Sequence, residues 1–114
     1  MARIYIVEDE MLLAMLVEDM VSDLGHKVVG ISQSLAAGLS TAEAIQCDLA
    51  ILDINLNGEL SFPVARTLIN RTIPIMFASG YGAAALEHEF RHLTIINKPF
   101  SIAQLDSAIQ QSLT

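Results

Sequence analysis

The chain has 114 residues, of which 53% are hydrophobic, and carries a net charge of −7 at pH 7 with an isoelectric point near 4.6. This composition predicts one globular domain with a single core and excludes a disordered chain. The acidic charge argues against nucleic acid or an anionic membrane as the main partner. No apolar leader and no run of roughly 18 apolar residues is present, which predicts a cytoplasmic protein.

Five apolar runs alternate with helical patterns along the chain. The predicted strands cover residues 4–7, 28–31, 49–53, 73–78 and 93–97, and the predicted helices cover about 11–24, 36–45, 61–70, 83–89 and 101 to the end. Strands separated by helices predict right-handed crossovers and a parallel sheet with helices on both faces. The chain ends with its fifth helix, so we expect one domain over residues 1–114 and no attached output domain.

The third predicted strand ends on an acid. Four apolar residues lead directly into Asp53, and a run of this kind suits a strand that is buried on both faces. Open α/β sheets place their chemistry at the carboxyl ends of such strands. Asp53 is therefore either a functional carboxylate or a simple turn residue, because Asp is also common in turns.

Polar residues also follow the other predicted strands. They are Glu8, Asp9 and Glu10 after the first, Asn55 after the third, Ser79 after the fourth and Lys98 after the fifth. Because the carboxyl ends of parallel strands share one edge, we expect these residues to meet in one cleft. Clustered carboxylates repel unless a cation binds, and oxygen ligands favour Mg²⁺. A serine hydroxyl and a lysine ammonium could hold phosphoryl oxygens while Asp53 forms an aspartyl-phosphate.

The ordered set of motifs resembles the receiver domain of two-component response regulators over essentially the whole chain. The matching motifs are Glu8-Asp9, the turn at residues 52–58, Ala78-Ser79-Gly80 and Lys98-Pro99-Phe100. The resemblance implies a flavodoxin-like (βα)5 fold, a doubly wound five-stranded parallel sheet of order 2-1-3-4-5. It also implies that Asp53 accepts a phosphoryl group from a histidine kinase or a histidine phosphotransfer protein.

The same resemblance implies a role for each site residue. Asp9 and Asp53 would ligate Mg²⁺ together with the backbone carbonyl of Asn55, and Glu8 would act mainly through water. Ser79 and Lys98 would hold phosphoryl oxygens, and the Lys98–Pro99 peptide bond would be cis.

One position departs from the family pattern. Receivers usually carry an aromatic residue three positions before the lysine, and here that residue is Ile95. Residues 77–81 resemble a subgroup of single-domain regulators with a Phe-Ala-Thr-Gly-Tyr motif and no such aromatic, although Ser79 replaces the threonine. Tyr81 is therefore a candidate for the switching ring, and the alternative is a tyrosine that only packs a loop between two glycines.

These features favour a phosphorylatable signalling switch that acts on an unknown downstream protein by contact and is not a turnover enzyme, although it promotes its own phosphoryl transfer. The alternative within this class is a phosphate sink or relay intermediate that drains a kinase. A Mg²⁺-dependent phosphohydrolase with Asp53 as nucleophile would need a second acid where Asn55 stands. A flavin carrier would need a phosphate-binding loop after the first strand, where three acids stand instead.

Overall fold

The computed structural model describes residues 1–80 and 85–114, and a five-stranded parallel sheet forms its centre. The strands of this sheet are β1 Arg3–Val7, β2 Lys27–Ser32, β3 Leu49–Asp53, β6 Ile75–Ser79 and β7 Ile95–Asn97, and a small hairpin pairs β4 Asn55–Leu56 with β5 Glu59–Leu60. The order across the sheet is β2-β1-β3-β6-β7. It corresponds to the expected 2-1-3-4-5 order and confirms the predicted fold.

Four α-helices occur within the described residues: α1 Met11–Asp23, α2 Leu35–Ala42, α3 Phe62–Asn70 and α4 Ile102–Leu113. Side-chain caps fix two of the helix starts. Ser34 Oγ accepts the N–H of Ala37, and Ser101 and Gln104 form a reciprocal capping box. In the part of the chain that the structure describes, every helix is too short or too polar to cross a membrane.

Each face of the sheet carries its own apolar cluster. Successive residues of a strand point to opposite faces, so Tyr5 and Val7 of β1 join the cluster under α2 and α3. Ile4 and Ile6 join the cluster under α1 and α4. Because β1 and β3 are covered on both faces, all but the first residue of β1 and all but the last residue of β3 are buried, and the acids come at the edge of the sheet where these strands end.

The predicted helix over residues 83–89 is wrong in its described part. Residues 83 and 84 lie outside the described residues, Glu87 is extended (φ −63°, ψ 153°), and a 3₁₀ turn covers His88–Phe90. A helix of fewer than two turns has little stability of its own. The buried ring of Phe90 instead anchors this segment as a turn, so the five-helix expectation is not met within residues 1–80 and 85–114.

Candidate functional site

The predicted site residues lie at the carboxyl edge of the sheet. Glu8 and Asp9 follow β1, Asp53 ends β3, Ser79 ends β6 and Lys98 follows β7. Strand register keeps these ends level, because Asp53 pairs with Ala78 and Ser79 pairs with Asn97. The sheet therefore brings residues from four separate strands to one cleft.

Three acids form the centre of this cleft. Glu8, Asp9 and Asp53 each place one carboxylate oxygen within 4.8 Å of the others. Glu8 is buried, whereas Asp9 and Asp53 are partly exposed. Lys98 Nζ lies 2.6 Å from Oε1 of Glu8 and 3.3 Å from Oδ2 of Asp53. The lysine thus bridges the most buried acid and the candidate phosphoryl acceptor.

Burial and neighbouring charges shift the pKa values in the cleft. Burial raises the pKa of Glu8 to about 7, against the opposing effect of its hydrogen bond with Lys98. Burial alone would also raise the pKa of Asp9, but hydrogen bonds with Glu8 and with backbone N–H groups lower it. Burial alone would lower the pKa of Lys98, and the contacts with Glu8 and Asp53 raise it instead. The cleft therefore holds negative charge that a bound cation would offset.

The donor set fits Mg²⁺. Three carboxylates offer hard oxygen ligands, and the partial exposure of Asp9 and Asp53 leaves room for the waters that Mg²⁺ usually keeps. Asp9 and Asp53 would hold the ion, with Glu8 acting mainly through water. The side-chain oxygen of Asn55 accepts the N–H of Gly58 at 2.7 Å, and its backbone carbonyl would be the metal ligand that the family resemblance implies.

The β4–β5 hairpin next to Asp53 is a feature that the sequence analysis missed. Its turn residues Asn57 and Gly58 both have positive φ, at 55° and 94°. The Asn57 N–H donates to Oδ2 of Asp9 at 2.9 Å, so the turn also orients a candidate metal ligand. Asn-Gly is the strongest short-range signal for a two-residue hairpin, and it could have revealed this element.

The remaining predicted residues differ in how the structure places them. Ser79 is buried at the end of β6, and its carbonyl accepts the N–H of Lys98 at 2.8 Å. Ile95 is half-buried and pairs with Phe77 of the neighbouring strand. Tyr81 lies outside the described residues. The Lys98–Pro99 peptide bond is cis, which agrees with the expectation.

Comparison with known proteins identifies relatives of similar fold and sequence. SdrG from Sphingomonas melonis Fr1 has a solution structure that is 38% identical, with a TM-score of 0.88, and the match covers 100% of this chain and 98% of that one. The BeF3-activated conformation of SdrG from Pseudomonas melonis Fr1 is 37% identical, with a TM-score of 0.84 and coverage of 98% and 96%. Both comparisons extend over nearly the full length of both chains.

A curated relative is longer than this chain. The phyllosphere-induced regulator PhyR of Methylorubrum extorquens is 32% identical over 115 residues, which is 97% of this chain but only 43% of that protein. The chain thus spans less than half the length of this relative. The family model described as the response regulator receiver domain matches residues 4–110. The chain therefore belongs to the response regulator receiver domain family.

Proposed function

We propose that this protein is a phosphoacceptor signalling switch in which Asp53 receives the phosphoryl group. The position of Asp53 carries the proposal: its carboxylate ends a buried strand, lies 3.3 Å from the ammonium of Lys98, and shares an acidic cluster with Glu8 and Asp9. Charges of both signs around one partly exposed carboxylate suit in-line transfer of a phosphoryl group. The existence of a BeF3-activated conformation of SdrG also supports this function.

The transfer step assigns a task to each residue. An oxygen of Asp53 attacks the phosphorus of a phosphohistidine, a P–O bond forms as the P–N bond breaks, and the electron pair leaves on the imidazole nitrogen. Lys98 balances the charge of the phosphoryl oxygens, and the Ser79 hydroxyl donates to one of them. When bound, Mg²⁺ supplies positive charge that brings the phosphoryl group and the carboxylates together.

The exposed apolar face of α1 is the surface on which the phosphoryl donor docks. Four apolar side chains on this face are largely exposed, namely Met11 (52%), Leu12 (81%), Met15 (50%) and Leu16 (49%). A contiguous exposed apolar patch of this kind is typical of a protein-binding surface. A cavity of about 230 Å³ between α1 and the segment Lys98–Phe100 continues this face to the edge of the cleft. Any donor that reaches Asp53 from this side covers both features.

The charge around the α1 face specifies the partner further. Glu10 and Asp19 are exposed on the same helical segment, and no basic residue occurs in α1. A helix of a histidine kinase or histidine phosphotransfer protein would fit if it presents apolar residues flanked by basic ones. The phosphorylated chain then acts on a downstream protein by contact.

The phosphohydrolase alternative is less well supported than the signalling role. Its general acid would stand at position 55, where Asn55 has no labile proton and its side chain is engaged by the N–H of Gly58. A role as phosphate sink uses the same acceptor. It differs in that the phosphorylated chain would bind no downstream partner.

Exposure to acetyl phosphate and Mg²⁺, followed by intact-mass measurement, tests the proposal. The unmodified chain should gain one phosphoryl group, and Asp53→Asn should gain none while its fold is unchanged. Asp19→Asn, which changes an exposed acid on α1, is the matched control and should be phosphorylated normally. A phosphoryl adduct on Asp53→Asn would place the acceptor elsewhere.

A further inference from the structure

Arg66 of α3 makes several contacts with the segment that leads from β6 to β7. Its Nε donates to Oε1 of Glu89 at 3.0 Å, and its Nη2 donates to Oε2 of Glu87 at 2.8 Å and also reaches the same Glu89 oxygen. The guanidinium carbon lies 5.4 Å from the centre of the Phe90 ring, which is a cation–π arrangement. One side chain therefore ties three residues of this segment to α3.

Phe90 extends this contact into the core beside β6. Its ring stacks on Phe62 with centroids 5.0 Å apart and meets the ring of Phe77 edge-on at 5.8 Å. Phe77 lies two residues before Ser79 on the same strand, so both side chains face the same side of the sheet. A movement of Ser79 toward a phosphoryl group on Asp53 therefore acts on the strand that carries a ring in contact with Phe90.

The segment is held in two ways, by the buried side chains of Leu86 and Phe90 and by the exposed contacts with Arg66. A cavity of about 530 Å³ lies between α3 and this segment, and Ile69, Ile73, Phe90 and Leu93 contribute to its lining together with Arg66. The side chains of Arg66, Glu87 and Glu89 are 44%, 48% and 51% exposed. Ion pairs this exposed are weak, so the contact is strong enough to bias the segment and weak enough to be released.

We propose that Arg66 is a latch that holds residues 87–90 on α3 in the unphosphorylated protein and releases them when Asp53 is occupied. The release passes from Ser79 through Phe77 to Phe90. The proposal rests on the proposed phosphoacceptor function of Asp53. The strength of the latch, together with the packing of Leu86 and Phe90 in the core, sets what fraction of molecules is released before any phosphoryl group arrives.

Amide hydrogen exchange of residues 86–93, measured with and without Mg²⁺ and beryllofluoride as the phosphoryl mimic, tests the latch. Beryllofluoride should speed exchange in the unmodified chain. Arg66→Gln should speed it by about fivefold to thirtyfold without the mimic, the range that two exposed ion pairs and one cation–π contact account for. Further addition of the mimic should then have little effect on this variant.

Two further variants separate the latch from a general loss of structure. The charge exchange Arg66→Glu with Glu89→Arg should restore part of the slow exchange that Arg66→Glu alone loses, because it re-forms the ion pair between positions 66 and 89 but not the contacts with Glu87 and Phe90. Arg3→Gln breaks a similarly exposed ion pair with Asp48, on side chains that are 49% and 42% exposed, and should leave residues 86–93 unchanged.

The outcomes distinguish the latch from the phosphoacceptor function. If the mimic changes exchange beside Asp53 and Ser79 but leaves residues 86–93 unchanged, the latch is overturned and the acceptor stands. Equal exchange in Arg66→Gln and the unmodified chain without the mimic also overturns the latch. If the mimic has no effect even beside Asp53, the phosphoacceptor function fails, and the trigger of the latch fails with it.

Discussion

The ammonium of Lys98 lies 2.6 Å from a carboxylate oxygen of Glu8 and 3.3 Å from a carboxylate oxygen of Asp53, so it is closer to Glu8 than to the candidate phosphoryl acceptor. Asp9 belongs to the same acidic cluster, so the charges of the three carboxylates and the lysine sum to −3 + 1 = −2 if all ionise. Excess negative charge in a cleft that buries Glu8 is costly unless a proton or a cation is taken up. The stability of the unphosphorylated protein should therefore depend on both pH and divalent cations.

The metal-free protein should lose stability as the pH rises. The pKa of Glu8 is raised by burial from 4.5 to about 7 in the folded state, so the folded state holds this proton more strongly than the unfolded state. The resulting stability is fully present below about pH 4.5 and is lost as the pH rises through 7, with an expected change of about 2 kcal/mol in the free energy of unfolding. Urea titrations in EDTA between pH 5 and pH 8 measure it.

Glu8→Gln is the variant that isolates this titration. It removes the ionisable group but keeps a polar side chain of similar size, so its stability should vary much less over the same pH range. An equally steep decline in Glu8→Gln would show that another group is responsible.

Mg²⁺ should stabilise the folded protein, and Asp9 should account for most of this effect. A ligand that binds only the folded state at ten times its Kd adds about 1.4 kcal/mol to the free energy of unfolding. Asp9→Ala removes a candidate ligand, so the rise in melting temperature on addition of Mg²⁺ should nearly disappear. Because Asp9 also accepts the Asn57 N–H, the comparison uses the Mg²⁺-induced shift of each variant and not its absolute melting temperature.

Asp19→Ala serves as the control for this experiment, since it removes one exposed acid from α1 outside the cluster. It should retain the full Mg²⁺-induced shift. A normal shift in Asp9→Ala would contradict the assignment of Asp9 as a ligand.

The central strands and the edge of the site could be predicted from the sequence because burial dictates their composition. Leu49–Asp53 is apolar up to its last residue since it is covered on both faces, and the acid appears where the cover ends. The start of β7 could not be placed in this way. Leu93 donates its N–H to the carbonyl of Phe90, so it belongs to the preceding turn, and the strand begins only at Ile95.

The periodicity of the sequence also does not show what the apolar face of a helix packs against. The helical spacing of residues 11–24 predicts the helix that the structure shows as α1, but Met11 and Met15 are half exposed and Leu12 is 81% exposed. The period says that apolar residues share a side of the helix, but it does not say whether that side meets the sheet or another protein. The contacts of Arg66 could not be predicted from the sequence either, because they join residues more than 20 positions apart.

Because Leu12 lies on the exposed apolar face of α1, we expect Leu12→Ser to reduce phosphoryl transfer from protein donors selectively. With 81% of the side chain exposed, the substitution should change the free energy of unfolding by no more than about 0.5 kcal/mol. Phosphorylation by acetyl phosphate should be normal, because this small donor needs no docking surface. Transfer from phosphorylated histidine kinases or phosphotransfer proteins, tested as a purified panel, should fall about tenfold for the most active donor.

Leu113→Ser, at the end of α4, replaces an exposed leucine that is not part of α1 and serves as the control. It should accept phosphoryl groups from the same donor at the normal rate. Equal transfer to Leu12→Ser and to the unmodified chain would remove α1 from the docking surface.

Tyr81 is the candidate switching ring that the sequence identifies. Ile95 stands where the family usually has an aromatic residue, and it pairs with Phe77, so this position offers no ring that could turn inward. Tyr81 follows Ser79 by two residues and is flanked by glycines, which allow the backbone change that a swing requires. Only a modest free-energy difference between ring positions is needed to bias partner binding.

The chain has two tyrosines, and Tyr5 is fully buried, so it is an internal reference for the ring signals. Addition of Mg²⁺ and beryllofluoride should shift the ring resonances of Tyr81 in ¹³C-tyrosine spectra and leave those of Tyr5 nearly unchanged. Tyr81→Ala should accept a phosphoryl group on Asp53 at a nearly normal rate but show a smaller ratio of phosphorylated to unphosphorylated affinity for a downstream partner, and Tyr81→Phe should retain that ratio. Unshifted Tyr81 resonances in a sample whose Asp53 amide responds, together with an unchanged ratio in Tyr81→Ala, would mean that the ring only packs the loop.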